Sequence, residues 1–268
     1  MEVNEAVNPV VRSEAAVTQT AGLIFQRGKT HRLRATLDFL DTYKNDELVN
    51  LNETETLHLE SLFPDRVRRE PLAPGDPHAV GRVTEVLTGS ANLTWRHSQN
   101  WNVALDYAWT ECLGGTLALY GRLIYFQKYD LQAGPDSAVV HELRHPDGAT
   151  SSLLEYRANL GASWSNRAWG LGVDGHYFHS RVLPIDERAG QGHDRIRPFW
   201  QGDAYVQCDI GRWLPWQSSR YGLRAQLRVN NVLDASYPKY VNDPSGAGVQ
   251  PYGDWRGRTY SLSLTANF

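Results

Sequence analysis

Strict alternation of apolar and polar side chains at the C-terminus is the sequence feature that most limits how this chain can fold. Across residues 258–268 every second residue is apolar, and small polar residues occupy most of the positions between them. Successive strand side chains point to opposite faces, whereas a helix repeats about every 3.6 residues, so the segment predicts a strand. The alternating segment 221–230 places Arg224, Gln226 and Arg228 on one face. Three such side chains in a row would be costly in a dry core, which indicates a sheet with one wet face.

The amino-acid composition is compatible with a membrane protein whose spanning segments are strands. No run of about 18 apolar residues occurs, so the sequence predicts no transmembrane helix. The mean hydropathy of −0.49 is low, but a barrel strand needs an apolar side chain only at every second position. The 9 Trp and 13 Tyr, against a single Met, favour a membrane–water boundary, where amphipathic rings are half wet. The same composition fits a soluble all-β protein rich in aromatic residues.

Nine segments show the alternation and predict strands. They are 18–26, 31–39, 90–110, 116–127, 156–164, 169–179, 200–210, 221–230 and 258–268. The segment 90–110 contains a polar stretch at 96–100, but its apolar residues keep one phase, so we interpret it as one long strand that protrudes beyond the bilayer.

The connections between these segments alternate between short and long. This pattern matches the short periplasmic turns and longer extracellular loops of outer-membrane barrels, and it directs the last strand toward the periplasm. Bacterial single-chain barrels normally have an even number of strands, whereas nine is odd. The predicted fold is therefore all-β: an antiparallel transmembrane β-barrel, partial, with about nine strands of a larger barrel.

Four segments carry a resemblance to a known family. They are Asn-Pro-Val-Val-Arg-Ser-Glu at 8–14, the long strand that follows Asn92, Asn-Val-Leu-Asp-Ala-Ser-Tyr at 231–237, and Gly-Arg followed by the alternating strand at 257–268. In these segments the chain resembles the C-terminal barrel of TonB-dependent outer-membrane receptors. The resemblance covers residues 1–268 as one domain.

The resemblance implies a receptor that takes up a scarce ligand of the siderophore, cobalamin or oligosaccharide class. Such receptors have a barrel of about 22 strands closed by an N-terminal plug, and TonB supplies the energy. Residues 1–7 contain two Glu and no apolar stretch, so we expect no signal peptide, and we find no plug or TonB box. We therefore expect a fragment that does not transport alone and that meets TonB only through the missing N-terminal barrel and plug.

Location and partners follow from the same resemblance. We expect the outer membrane of a Gram-negative bacterium, contact with its lipid, and recognition by the barrel-assembly machinery through the terminal Phe268. The net charge of −3 gives no basic footprint for nucleic acid.

No enzyme, cofactor or metal site is predicted. The sequence contains no nucleophile elbow, identifiable acid–base pair or phosphate-binding glycine loop. The histidine pairs at 141/145 and 176/179 do not fall in predicted helices, so their spacing does not place both rings on one face. Cys112 and Cys208 belong to strands too far apart across the sheet for a disulfide.

The aromatic residues have two predicted roles. Trp101 and Trp109 lie eight residues apart on one face, which spans roughly 20 Å of bilayer height and fits two aromatic girdles. Trp164, Trp169 and Trp213 would join the periplasmic girdle. Aromatic residues of the last long loop are candidate ligand contacts: Tyr240, Tyr252 and Trp255.

Two other functions remain open at this point. A small, passive, porin-like outer-membrane protein would need an export signal and an even, closable set of strands. A soluble, secreted, carbohydrate-binding β-sandwich would bury the outward Leu and Val side chains between two sheets, and it would have no place for the charged face of 221–230.

Overall fold

A computed structural model describes residues 2–5, 11–72, 74, 77–146, 153–213, 222–241, 248, 252 and 254–267. In chain order the strands are β1 (Glu2–Glu5), β2 (Ala15–Arg27), β3 (His31–Leu51), β4 (Val67–Arg69), β5 (Val83–Cys112), β6 (Gly115–Gln132), β7 (Val140–His141), β8 (Tyr156–Ser165), β9 (Trp169–Phe178), β10 (Arg181–Val182), β11 (Arg195–Ile196), β12 (Phe199–Asp209), β13 (Gly222–Asn230) and β14 (Thr259–Asn267). The helices are α1 (Glu53–His58) and α2 (Ile185–Gln191), with 3₁₀ turns at Pro64–Arg66 and Ile210–Trp213.

Nine long strands form one sheet in the order β2-β3-β5-β6-β8-β9-β12-β13-β14. Each long strand pairs antiparallel with its neighbours in sequence order, which confirms the nine predicted strands. The single strand predicted across 90–110 is also confirmed, because β5 runs without a break for 30 residues. The sheet is not closed, and β2 and β14 lie at its two ends.

The connections alternate as predicted between short turns and long loops. The turn between β2 and β3 requires a glycine, since Gly28 has φ +102° and a Cβ atom there would lie 1.7 Å from the His31 carbonyl oxygen. Residues 113–114 alone join β5 to β6. The long connections 52–82, 133–155, 179–198 and 231–258 all leave the opposite end of the sheet.

One face of the sheet presents large apolar side chains to the surroundings. Leu23 is 73% exposed, Leu160 49% and Leu262 72%. The second sheet within the described ranges is the two-stranded pair β10–β11, which is too small to cover this face. A two-sheet sandwich would bury these Leu and Val side chains between its sheets, whereas here they are exposed. None of the helices in the described ranges is long and apolar enough to cross a membrane.

The predicted boundaries of three strands are too short on the long-loop side. β3 continues to Leu51, β5 begins at Val83 and β6 continues to Gln132. The side chains there are largely charged and polar, so the apolar alternation fades, but the backbone ladder between β3 and β5 continues as far as the pair Leu51–Gly89.

The main apolar core lies on these protruding strand ends. Its buried members come from β3, β5, β6 and the residue after α1: Leu51, Leu59, Ala91, Leu93 and Leu131. The helix α1 begins with a capping box, in which Asn52 and Glu55 bond each other's backbone N–H. Arg66 is buried and donates to the carbonyl oxygens of Gly89 and Ser90. Residues 52–69 of this connection therefore pack as a small cap rather than as a solvated loop.

Two of the segments that carry the family resemblance meet in this cap. The Asn92 side chain accepts from the Arg12 backbone N–H at 2.8 Å and donates to the Arg12 carbonyl oxygen at 2.9 Å. Glu14 accepts from the Leu48 N–H and pairs with Lys44 at 3.0 Å. Residues 8–10 of the first segment lie outside the described residues. The bonds between Asn92 and Arg12 join positions 80 residues apart in sequence.

Replacing Leu93 by Ala tests the importance of this core. Leu93 is 2% exposed, so the substitution should destabilise the cap by about 2–5 kcal/mol through lost burial and a residual cavity. The measurement is the rate of limited proteolysis within 52–82, together with urea unfolding in detergent. Leu48→Ala is the matched control, because Leu48 is 46% exposed, and it should change stability by less than about 0.5 kcal/mol. Equal effects of the two substitutions would contradict the placement of the core.

Candidate functional site

The inner face of the sheet holds a network of charged side chains centred on Arg228. Its Nη2 atom lies 3.2 Å from Asp203 Oδ2 and 3.6 Å from Asp174 Oδ2. Asp174 also accepts from the Tyr120 hydroxyl at 2.8 Å, and Asp203 accepts from the Asn231 N–H at 2.9 Å. Asp203 is buried, and burying a carboxylate is costly unless it is paired and hydrogen-bonded. Four strands thus share one hydrogen-bonded cluster of one guanidinium and two carboxylates.

Neighbouring groups hold this network in place. His176 Nδ1 is 2.7 Å from Asn159 Oδ1, and its Nε2 atom is 3.8 Å from Asp203. Gly161 gives the cluster room, since a Cβ atom there would lie 2.3 Å from the Tyr120 ring and 2.8 Å from Asp174 Oδ1. The sequence predicted a wet inner face from Arg228 but missed both aspartates. The available signal was that both aspartates occupy inward-facing positions of their alternating strands.

The network contains ion pairs rather than an activated nucleophile or a ligand set for a metal. Within the described ranges, no group of three or more His, Cys, Asp or Glu side chains is placed to hold a metal ion. Cys112 and Cys208 are both free thiols.

Aromatic side chains form a row on the outer face near the long loops. Trp101 pairs across the sheet with Phe39 and Tyr125, and Tyr125 pairs with Tyr156. The ring centroids of Phe39 and Trp101 are 4.7 Å apart. Tyr177 continues the row, with centroid distances of 5.7 Å to Tyr156 and 4.8 Å to Trp200. The structure therefore extends the single predicted residue, Trp101, into a row across six neighbouring strands.

A second group of tryptophans lies near the short turns. Leu117 pairs with both Trp109 and Trp164, which places the two indoles in one register row. Trp169 pairs with Cys208 and is 43% exposed. The Trp213 side chain and Phe268 lie outside the described residues. A role for these residues as membrane girdles and assembly signal stays a prediction.

Tyr240, one predicted ligand contact, lies inside a small loop core with Leu183 and Ile196. Its hydroxyl donates to Glu187 Oε1 at 2.9 Å, and the Arg181 guanidinium lies 4.3 Å from its ring centroid. Burial raises the pKa of Tyr240, so its phenol remains a hydrogen-bond donor. This placement gives Tyr240 a structural role, because it joins the β9–β12 connection to the β13–β14 connection.

The other two predicted contacts are more accessible. Tyr252 is half-buried, and burial raises the pKa of its phenol. Trp255 is 62% exposed and lies between Asp254 and Arg256, which form an ion pair at 2.6 Å. Ligand contact by Tyr240, Tyr252 and Trp255 stays a prediction.

The β9–β12 and β13–β14 connections line a cavity of about 730 Å³ that is open to solvent. Residues 191–198 line one side, and residues 236–239 together with Val241 line the other. Its basic residues are His193, Arg195, Arg197 and Lys239. The sequence analysis did not single out any of these four, because they are scattered through two polar loops that meet only in the folded chain.

Comparisons with known proteins agree on the fold. No protein-family model and no curated protein matches the chain. A mutant of the ferric enterobactin receptor from Pseudomonas aeruginosa matches with a TM-score of 0.54 and 15% identity, over 95% of this chain and 31% of that chain. Another mutant of that receptor, in complex with enterobactin, has a TM-score of 0.55 and 14% identity, over 95% and 32%. The siderophore receptor PirA from Acinetobacter baumannii has a TM-score of 0.51 and 13% identity, over 94% and 31%.

These matches confirm an antiparallel outer-membrane barrel fold for the chain, and its sheet forms part of such a barrel. The chain spans about a third of the length of the receptors that it matches.

Replacing Arg228 by Met tests the inner-face network. The change leaves the carboxylates of Asp174 and Asp203 without their shared cation, and it should destabilise the sheet by about 1–3 kcal/mol. Urea unfolding in detergent measures the loss. Arg224→Met is the control on the same strand and face, since Arg224 makes no ion pair within the described ranges. An Arg224→Met loss as large as that of Arg228→Met would show that the network adds nothing.

Proposed function

We propose that the chain is the C-terminal barrel portion of a TonB-dependent outer-membrane receptor, which takes up a scarce ligand and has no enzymatic activity. One observation carries the proposal: a single antiparallel sheet exposes apolar side chains on one face and binds its charged side chains together on the other. The apolar face can contact the hydrocarbon of a bilayer, where unpaired polar groups are costly. The polar inner face fits a water-filled lumen.

The proposed ligand belongs to the siderophore, cobalamin or oligosaccharide class. The structures that share the fold are named as a ferric enterobactin receptor and a siderophore receptor, which favours the siderophore class for this chain. The candidate ligand surface is the group of long loops, because the cavity and the accessible Trp255 both lie there.

The open edges of the sheet define the partners that we propose. Unpaired strand edges are not tolerated in hydrocarbon, so β2 and β14 need strands to pair with. Because the matched receptors are about three times as long, we propose further barrel strands and a plug as those partners. TonB would act through that additional part. The outer-membrane lipid would contact the apolar face, and the barrel-assembly machinery would act on the C-terminal strand.

Placing one arginine on each face of β13 tests the membrane orientation. Leu227→Arg, on the outer face, should destabilise the inserted protein by about 2–4 kcal/mol, since the position lies near the middle of the apolar band. Gln226→Arg is the control at the same depth on the inner face, and it should have a small effect. The measurement is folding into phospholipid vesicles, followed by the heat-dependent shift in gel mobility. Similar costs at both positions would contradict the assignment of the faces.

Expression with an added export signal tests the function itself. We expect the chain in the outer-membrane fraction, where its two open edges would pair with those of another copy. We also expect heat-modifiable mobility, and binding of a member of the proposed ligand classes by the purified protein. The probes are ferric citrate, a neutral ferric trihydroxamate, cyanocobalamin and maltotriose, followed by tryptophan fluorescence. Recovery in the soluble fraction would overturn the proposal. Steady ion conductance in planar bilayers without binding of any probe would instead support a passive pore.

A further inference from the structure

The cavity between the β9–β12 and β13–β14 connections stands above the inner face of the sheet. Tyr237, which lines it, packs against Phe199 in a tilted arrangement with ring centroids 4.3 Å apart. Phe199 is 4% exposed and alternates with Trp200, which is 51% exposed and belongs to the outer aromatic row. The Phe199 side chain therefore points inward. The cavity thus lies on the inner side of the sheet, at its long-loop end, and does not face lipid.

Local strand geometry places two arginines along one side of the cavity. In β11 and the residue after it, Arg195 and Arg197 flank Ile196. Ile196 is 1% exposed and packs with Leu183 and Tyr240 in the loop core. Since neighbouring side chains of an extended segment point to opposite sides, burial of Ile196 turns both guanidinium groups away from that core. Both arginines line the cavity.

Hydrogen bonds hold the two sides of the cavity together. Gln191, at the end of α2, donates to the Lys239 carbonyl oxygen at 3.0 Å and accepts from the Val241 N–H at 2.9 Å. Arg197 donates from Nη2 to the Ser236 carbonyl oxygen at 3.3 Å. The three cationic residues therefore belong to segments that are hydrogen-bonded to each other. Less conformational entropy is then lost when a ligand binds.

The charges around the cavity are unbalanced. Arg195, Arg197 and Lys239 are cationic, and His193 adds a further donor. Among the described residues that line the cavity there is one carboxylate, Asp194, at 3.7 Å from Arg195. Burial raises the pKa of Tyr237, so its phenol stays neutral and adds no negative charge. An excess of cationic groups around a cavity favours an anionic occupant.

We propose that this cavity binds a small molecule carrying two or more anionic oxygen groups, and that Arg195, Arg197 and Lys239 contact those groups. The proposal rests on the proposed receptor function and narrows its ligand to an anionic member. The cavity volume of about 730 Å³ falls within the usual range of small-molecule sites, about 300–1,000 Å³. The planar guanidinium groups suit carboxylate-like oxygens, which they can bind through two parallel hydrogen bonds.

Binding of ferric citrate to the detergent-solubilised full chain tests the proposal. The double variant Arg195→Gln/Arg197→Gln should bind ferric citrate at least about tenfold more weakly than the unchanged chain, since charge-assisted hydrogen bonds are lost. Raising the salt concentration should weaken binding to the unchanged chain more than binding to the variant. Arg167→Gln is the matched control, because Arg167 is exposed on the short turn between β8 and β9 at the opposite end of the sheet. It should leave binding unchanged.

A neutral ferric trihydroxamate and maltotriose separate this inference from the proposed function. Tighter binding of either neutral probe, with no effect of the double variant, would overturn the anionic site and leave the receptor function standing. If no probe binds at all, that result would also overturn the anionic site. Recovery of the chain outside the outer membrane would overturn both. Ferric citrate binding that is lost in the double variant and kept in Arg167→Gln would support the site.

Discussion

The backbone ladder of the long sheet is the constraint on which the rest of the structure depends. In hydrocarbon no water can satisfy an unpaired N–H or C=O group, so each spanning strand must bond to neighbours on both sides. Seven of the nine long strands do so here, from β3 to β13. This pairing sets the register, and the register decides which side chains meet lipid and which meet the lumen. The tryptophan rows and the Arg228 network both follow from it.

The regions beyond the apolar band obey a different rule. There, water can satisfy backbone groups, and the chain gains stability by burying apolar side chains in small local cores. Leu93 and Leu131 build one such core on the protruding strands, and Tyr240 builds another beneath the cavity. These cores turn polar connections into defined surfaces. The surface at this end of the sheet therefore rests on buried apolar side chains.

Residue patterns predicted the strands well and the extracellular parts poorly. Alternation located all nine long strands, and the predicted succession of short and long connections was also confirmed. It failed at the end of β3, where charged residues follow Phe39, because cross-strand pairing with β5 maintains the strand without an apolar repeat. It also missed Asp174 and Asp203. The alternation places each aspartate on the inner face, but only the packing of the sheet brings both of them to Arg228.

The sequence by itself determined the fold class, the strand order and the two faces of the sheet, because a period of two is a local property that survives in any register. Only the tertiary structure decided which side chains act together. The contact between Asn92 and Arg12 joins positions 80 residues apart, and the cavity collects cations from two separate loops. Such contacts depend on how distant segments pack, and nothing in the local pattern of either segment specifies its partner.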